Sequence, residues 1–288
     1  ICASIIKLIG IVMKKVAFIY DFDKTLSPKD MQEYDLIQDL GYQDSADFWQ
    51  LVTKRATTDK CDPVLAYMLQ IKELALHNGN PITKERLNRY GQAVEFFGGV
   101  EGWFQRMNAY AASLGLELEH YVISSGLYEI ISHTKIAKYF KQVYACSYIY
   151  DEQGNAIWPR NVVNYTTKTQ YLFRINKQVL DISDEASLNK FIPMVKRPIP
   201  FSRMAYFADG YTDIPVFRLI KEYGGYSVGV YGNNPKVVHQ LIDDNRLSYF
   251  AKADYQNDSP LDNYGKLILQ NMASQEAIID FSSVHYEK

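Results

Sequence analysis

Lys14-Lys15-Val16-Ala17-Phe18-Ile19-Tyr20-Asp21-Phe22-Asp23-Lys24-Thr25-Leu26 is an apolar, strand-forming run that ends abruptly in two aspartates two positions apart, followed by a threonine. Residues 16–20 show no apolar–polar alternation, which is the habit of a parallel strand buried on both faces. In open α/β sheets ligands bind just beyond the carboxyl ends of such strands, so Asp21 and Asp23 are expected to project into a crevice. Two unpaired carboxylates there are costly unless a cation neutralises them. A hard divalent ion with oxygen ligands, magnesium, suits them. Taken alone, Asp-Phe-Asp reads equally well as a polar strand end with turn-forming aspartates, so the rest of the chain has to supply what such a site lacks.

The chain has 288 residues, 47% hydrophobic and 22% charged, which suits a globular protein of one or two domains with a sizeable core. Aromatic residues make up 14%, which argues against disorder. The net charge of −2 and the lack of a basic run disfavour a general nucleic-acid binder, whose partner demands a positive surface. Cys2, Cys61 and Cys146 are scattered, with no metal-binding spacing, and fit a reducing compartment such as the cytoplasm. No stretch is long and apolar enough to span a bilayer. Residues 1–12 are largely apolar and interrupted by Lys7, and Met13-Lys14-Lys15 reads as a more natural start, so they are expected to be an upstream segment. A signal peptide is the weaker reading, because the mature part would begin inside the strand that carries the aspartates.

Beyond Leu26 the chain turns helical. Ser27-Pro28-Lys29-Asp30 reads as a helix start, with Met31, Tyr34, Ile37 and Leu40 on one face and Gly41 as the stop. Further helices are expected from Ser45 to about Thr57, from Asp62-Pro63 to near Gly79, and from Thr83 to about Glu95. No convincing strand interrupts residues 28–96, so 28–98 form a helical insert after the first strand. From residue 100 helix and strand alternate. A helix over 100–114 leads to a strand over Glu119–Ile123, ending in Ser124-Ser125-Gly126. A helical stretch from Leu127 to about Phe140, a strand over Val143–Cys146 and a hairpin through Ser147–Val162 follow. Thr166-Thr167 cap a helix that begins at Lys168, and a short helix falls near 185–193. The strand Met204–Phe207 ends in Ala208-Asp209-Gly210-Tyr211-Thr212-Asp213, then come a helix, the strand Tyr226–Val230, a helix after Asn234-Pro235, and a late helix around 264–279. The expected architecture is an α/β protein: a Rossmann-like parallel sheet built from 13–27 and 99–288, wrapped by helices, with the all-helical insert 28–98.

Three strands thus end in polar groups of different kinds, and a lysine opens a helix between the second and third. Singly, Ser124 reads as a turn serine, Lys168 as a surface lysine, and Asp209 and Asp213 as a turn residue and a helix cap. Jointly, in this order and after strands, they read as a site. The chain resembles the haloacid dehalogenase superfamily of phosphotransferases, in its phosphoserine-phosphatase-like branch. Asp21, Asp23 and Thr25 match that family's Asp-x-Asp-x-Thr motif; Ser124 in Val122-Ile123-Ser124-Ser125-Gly126 matches its second motif, Lys168 its third, and Asp209 and Asp213 its fourth. The resemblance covers residues 13–255, and its departure is Ala208, where many members have glycine.

The resemblance implies a magnesium-dependent phosphatase acting on a small phosphorylated metabolite. Asp21 would take the phosphoryl group as an aspartyl-phosphate, and Asp23 would protonate the leaving alcohol and then activate water. Ser124 and Lys168 complete the implied catalytic set, and Thr25, Ser125 and Gly126 join those two in holding the phosphate, with Lys168 at a positive helix N-terminus. Magnesium would be held by the Asp21 carboxylate, the Asp23 backbone carbonyl and Asp209, with Asp213 orienting ligands or Lys168. The second aspartate, Asp23, separates this pattern from true dehalogenases, which need no leaving-group acid. Asp23-Lys24-Thr25 also echoes ion-pumping ATPases, whose membrane helices this sequence lacks. The helical insert falls where the family places a cap that closes over substrate. Its cations (Lys54, Arg55, Lys60, Arg86, Arg89) and aromatics (Phe48, Trp49, Tyr90) are expected to be mostly surface or insert core. A phosphotransferase or phosphomutase on the same chemistry, and a catalytically silent binding protein on the same fold, are the alternatives. Neither a membrane nor a nucleic-acid partner is expected, and the oligomeric state is not legible.

Overall fold

The computed structural model describes residues 13–286. Residues 1–12, expected above to be an upstream segment, lie outside the described residues. Among those described, the sheet has seven strands: β1 (Lys14–Tyr20), β2 (Leu116–Leu127), β3 (Phe140–Tyr150), β4 (Ala156–Asn161), β5 (Met204–Ala208), β6 (Tyr226–Tyr231) and β7 (Tyr249–Lys252). They lie in the order β4-β3-β2-β1-β5-β6-β7, parallel except for β4. The chain builds outward from β1 through β2 and β3, then returns to its other side for β5, β6 and β7. β1 is therefore a central strand at the point where the strand order reverses, and residues 16–20 are fully buried. A crevice opens at the carboxyl end of the sheet at such a reversal.

Alternation along the strands assigns the two faces. Phe18, Tyr20 and Phe207 point to the side covered by the Val100–Ser113 helix, where Phe18 stacks on Trp103 and Tyr20 meets Phe104 edge-on. The opposite face carries Tyr206, packed edge-on against Phe217 of the Ile214–Glu222 helix. That helix also packs against Lys168–Lys177. On the first face a buried polar chain runs through the aromatics. Trp103 Nε1 donates to the Tyr20 hydroxyl at 2.8 Å, Tyr20 lies 3.0 Å from His120 Nδ1, and His120 Nε2 lies 3.0 Å from Asn108 Oδ1. Because the Asn108 amide oxygen can only accept, the neutral His120 ring carries its proton on Nε2 and gives it to Asn108, which leaves Nδ1 to accept from the Tyr20 hydroxyl. Burial holds His120 down at about 3, so this ring is neutral at physiological pH.

The expected helices at Ser45–Asp59, Pro63–His77, Val100–Ser113, Lys168–Lys177, Glu185–Asn189, Ile214–Glu222 and Lys236–Asp243 are present. Asp62 caps the second through Val64 N–H and Leu65 N–H. The Val100–Ser113 helix starts at Gly99, whose φ of +86° and close approach to the backbone of Tyr255 and Gln256 leave no room for a Cβ.

Several expectations are corrected. Residues 31–39 form only a 3-10 turn (Met31–Glu33) and one helical turn (Leu36–Asp39). The reason is that Ser27 is no cap: its hydroxyl is shared with Tyr34 and the Lys29 carbonyl, and the Met31 N–H is taken by Asp23. The helix after Thr83 ends at Tyr90, where Gly91 abuts the backbone of Ile130 and His133. Leu127–Phe140 holds only the turns Tyr128–Ile131 and Ala137–Tyr139, because β2 runs on to Leu127 and Glu129 turns inward to accept from Tyr148 N–H and the Tyr150 hydroxyl. Thr167 does not cap the Lys168 helix; the Asn164 side chain organises that entry, accepting from Thr166 and Thr167 N–H. The edge strand β7 is an addition, and the last helix spans Pro260–Tyr286.

The helical insert is stitched to the β3–β4 hairpin: Ala156 N–H donates to the Ile82 carbonyl at 2.8 Å, Tyr148 to the Met68 carbonyl at 2.6 Å, and Asn164 Nδ2 to Asp62 Oδ2 at 2.8 Å. Its apolar residues join the sheet in one contiguous core. No described helix is long and apolar enough to cross a membrane, and Cys61 and Cys146 are free thiols. Tyr20→Phe removes one hydroxyl but leaves both Trp103 Nε1 and His120 Nδ1 buried without partners, so it is expected to lower stability by about 2–3 kcal/mol in urea unfolding.

Candidate active site

The sheet register brings the candidate residues to one level. Tyr20 pairs with Val122 on β2 and with Phe207 on β5. Asp21 is one residue past that level, and Ser124 and Asp209 are each two past it. Asp21 N–H donates to the Phe207 carbonyl at 2.9 Å, closing the strand ends together. Just beyond them is a cavity of about 360 Å³ whose wall includes Asp21, Asp23, Ser124, Ser125, Lys168 and Asp209.

Lys168 opens its helix on the far side of the cavity floor and is 1% exposed. Its Nζ lies 3.1 Å from Asp21 Oδ2 and 2.6 Å from Asp213 Oδ1. Asp213 is fully buried and also accepts from the Tyr206 hydroxyl at 2.5 Å and from Thr212 Oγ1 at 3.1 Å. Asp21 Oδ1 accepts from Phe22 N–H at 2.8 Å. Asp23 Oδ1 accepts from Met31 N–H at 2.8 Å, which ties the start of the insert to the site. Ser124 Oγ accepts from Gly126 N–H at 3.0 Å, which leaves its own proton free to donate. Gly126 lets Met31 pack close: a Cβ would sit 2.0 Å from Met31 Cε, so that side chain would have to move, and 3.2 Å from Asp23 Oδ2.

No family model matches the chain. An uncharacterized protein of Borreliella burgdorferi is 27% identical over 276 residues, covering 86% of this chain and 94% of that protein. Among solved structures, a HAD (haloacid dehalogenase) family hydrolase from Salmonella enterica serovar Typhi matches with a TM-score of 0.56 at 12% identity, over 85% of this chain and 71% of that one. A phosphoserine phosphatase in its apo form matches at 0.55 and 15% identity, over 84% and 96%. The phospho-aspartyl intermediate analogue of phosphoserine phosphatase matches at 0.51 and 16%, over 82% and 93%. The fold is that of the haloacid dehalogenase superfamily.

Within this haloacid dehalogenase fold, in its phosphoserine-phosphatase-like form, not every expected residue reaches the cavity. The chain after Asp23 turns tightly, with Thr25 and Leu26 N–H both returning to the Phe22 carbonyl and Lys24 in the left-handed region at φ 56°. That turn faces Lys24 to the cavity and sends Thr25, expected as a phosphate ligand, into the interior, where its Oγ1 has no partner. Gly126 and Asp213 sit behind the cavity wall. Lys24, Asp30, Tyr211, Thr212 and Val237 line it without having been singled out as site residues. For Lys24 and Asp30 a signal existed, since they flank the Asp-x-Asp turn; they pair at 2.8 Å. The insert's cations lie elsewhere. Arg55 pairs with Glu73, Arg86 is buried against Tyr90 and Asp39, and Lys54, Lys60 and Arg89 are exposed. Tyr67 was the insert residue to find: its hydroxyl donates to the Ser125 carbonyl at 2.6 Å.

Five carboxylates (Asp21, Asp23, Asp30, Asp209, Asp213) face two ammonium groups (Lys24, Lys168). Burial pushes Asp21 up to about 8 against the pull of Lys168, with Asp213 and Asp209 adding repulsion. Burial, then Asp30 and Asp21, hold Asp23 well above the carboxylate range. Asp209 rises to about 6 through burial and the charge of Asp213. Burial lowers Lys168, but Asp21 and Asp213 together outweigh it and keep it raised and charged. Lys168→Met leaves Asp21 and Asp213 facing each other without a cation. It should cost about 3 kcal/mol at pH 8 in EDTA, and less at pH 5, where Asp21, pushed up by burial, holds its proton; chemical denaturation at the two pH values checks this.

Proposed function

We propose that this protein is a divalent-metal-dependent phosphomonoesterase that hydrolyses a small phosphorylated metabolite through an aspartyl-phosphate on Asp21. The observation that carries the reading is the buried Lys168 ammonium, shared by Asp21 and Asp213 beneath a cavity that Asp23, Ser124 and Asp209 also line. The likeness to solved phosphatases supports it at the level of fold.

The residues fit a small, hard divalent cation. Carboxylate oxygens of Asp21, Asp209 and Asp213 lie within 4.8 Å of one another, and carboxyls held above their usual range mark a site short of positive charge. Asp21 and Asp209, with the Asp23 backbone carbonyl, would hold it. Asp213 has one oxygen already committed to Lys168 and Tyr206, which suits an orienting role. Magnesium bound there supplies charge neutralisation for the phosphate and the attacking carboxylate.

The chain's own groups divide the reaction. The Asp21 carboxylate attacks phosphorus as the ester oxygen leaves, forming the Asp21–phosphorus bond and breaking the bond to the alcohol. Asp23, kept protonated by burial and its acidic neighbours, gives its proton to that departing oxygen. The resulting Asp23 carboxylate then takes a proton from water, which attacks the aspartyl-phosphate and regenerates Asp21 with release of inorganic phosphate. Lys168 and the free Ser124 proton stabilise charge on the phosphoryl oxygens. We assign residues 28–98 to a cap over this cavity, with 13–27 and 99–288 as the catalytic core.

Purified protein is expected to hydrolyse an aryl phosphate with magnesium, to lose that activity in EDTA, and to lose it by more than ~10³-fold as Asp21→Asn with an unchanged fold by circular dichroism. Activity retained in Asp21→Asn removes the nucleophile assignment. The metal has its own pH signature. Raised carboxyls destabilise the metal-free protein increasingly as pH climbs from the unfolded value of about 4 toward the 8 of Asp21, because the unfolded carboxyl ionises freely there while the folded one holds its proton. A cation relieves that cost where the groups are ionised and must displace protons below it. Magnesium should therefore raise the melting temperature more at pH 8.5 than at pH 6; an equal or reversed effect in a thermal-shift series contradicts binding at these carboxylates.

A further inference from the structure

Tyr206 is a polar side chain in a strand whose other members, Met204, Ala205, Phe207 and Ala208, are apolar and fully buried. Its ring lies edge-on to Phe217, with 5.7 Å between centroids. Phenylalanine would fill that space, and a buried hydroxyl without a partner costs about 1–3 kcal/mol. The hydroxyl here has a partner of one kind: it donates to Asp213 Oδ1, the oxygen that also accepts from Lys168.

The three donors to Asp213 are not equivalent. Lys168 sits on a flexible four-carbon stem and also reaches Asp21, so its bonds are redistributed when a phosphoryl group occupies Asp21. Thr212 is the adjacent residue and moves with the same loop. Tyr206 is fixed from both sides, pairing with Ile19 on β1 and Ser227 on β6, and its ring is held by packing. It is the donor whose position does not depend on what occupies the cavity.

We propose that Tyr206 is a positioning residue: its hydroxyl holds the Asp213 carboxylate in one orientation, and Asp213 in turn keeps Lys168 Nζ against Asp21 as the phosphoryl group arrives and departs. Its consequence for turnover rests on the phosphatase reading of the same site; its consequence for geometry does not. Tyr206 touches neither the cavity nor the reacting atoms. The effect on hydrolysis therefore falls on the chemical steps rather than on substrate binding.

The test compares the whole chain with Tyr206→Phe and with Tyr171→Phe. Phenylalanine suits the apolar strand position, so the first variant folds. The second removes another buried tyrosine hydroxyl, one that donates to Asn161 Oδ1 at 2.9 Å and contacts no carboxylate. With p-nitrophenyl phosphate and magnesium, Tyr206→Phe is expected to lower kcat about tenfold or more with KM changed less than about twofold, while Tyr171→Phe keeps both within about twofold. A kcat for Tyr206→Phe within about twofold of the parent, or an equal loss in Tyr171→Phe, overturns the proposal. A crystal structure of metal-free Tyr206→Phe is the second arm: the Asp213 carboxylate is expected to rotate and Lys168 to lose its bridge to Asp21. If the parent hydrolyses nothing, the phosphatase reading fails and this arm decides alone, with an unmoved Asp213–Lys168–Asp21 bridge overturning the positioning role.

Discussion

The Lys168 ammonium buried between Asp21 and Asp213 is the interaction on which the rest of the structure depends. Its three members come from the end of β1, the start of the helix after the β3–β4 hairpin, and the turn after β5. None can be buried alone without a large desolvation cost, and removing one leaves the others uncompensated. The charges are therefore tolerable only if these chain-distant segments meet in register. The parallel pairing of β1 with β2 and β5 enforces that register, and the apolar strand residues on both sheet faces supply the burial energy that holds it.

The same constraint explains why the site remains short of positive charge. One buried lysine compensates two carboxylates, Asp21 and Asp213. Asp23 and Asp209 add negative charge at the cavity wall, and Lys24 is drawn to Asp30 at the rim. A site so arranged is poised for something that brings cationic charge or that distributes the carboxylates between protonated and ionised roles. Carboxyls raised by burial in one cleft, each beside different charged neighbours, are the physical condition for separating a nucleophile from an acid.

The helical insert is coupled to this chemistry through a few polar contacts as well as through packing. Met31 N–H grips Asp23, Tyr67 reaches the Ser125 carbonyl, and Asp62 both caps its own helix and accepts from Asn164 at the entry to the Lys168 helix. Displacement of the insert would thus disturb Asp23, the Ser125 loop and the entry to the Lys168 helix together.

Much of this was legible in the chain itself. The unbroken apolar run 16–20 ending in Asp21 read as a doubly covered strand, and it is one, because a strand buried on both faces has no solvent-facing positions to leave polar. Helices with a strong cap and an apolar face, such as the one after Asp62-Pro63, were also legible, since their signals are local. The failures share a cause. Ser27, Thr167 and the stretch 127–140 carry local helix signals, but their donors and acceptors are claimed by other side chains: Tyr34, Asn164, and Glu129 turned inward to Tyr148 and Tyr150. The family resemblance implied Thr25 as a ligand, yet a left-handed Lys24 turns it inward. The sequence by itself thus determined the sheet's central strand, the order of the polar strand ends and the helical insert, because each rests on short-range periodicity and turn chemistry. Only the tertiary structure decided that Tyr206 bonds to Asp213 and Tyr67 to the Ser125 carbonyl, that Thr25 faces the interior, and that Lys168 is buried between two carboxylates, because those facts depend on strand register and on which group meets each polar atom once water is excluded.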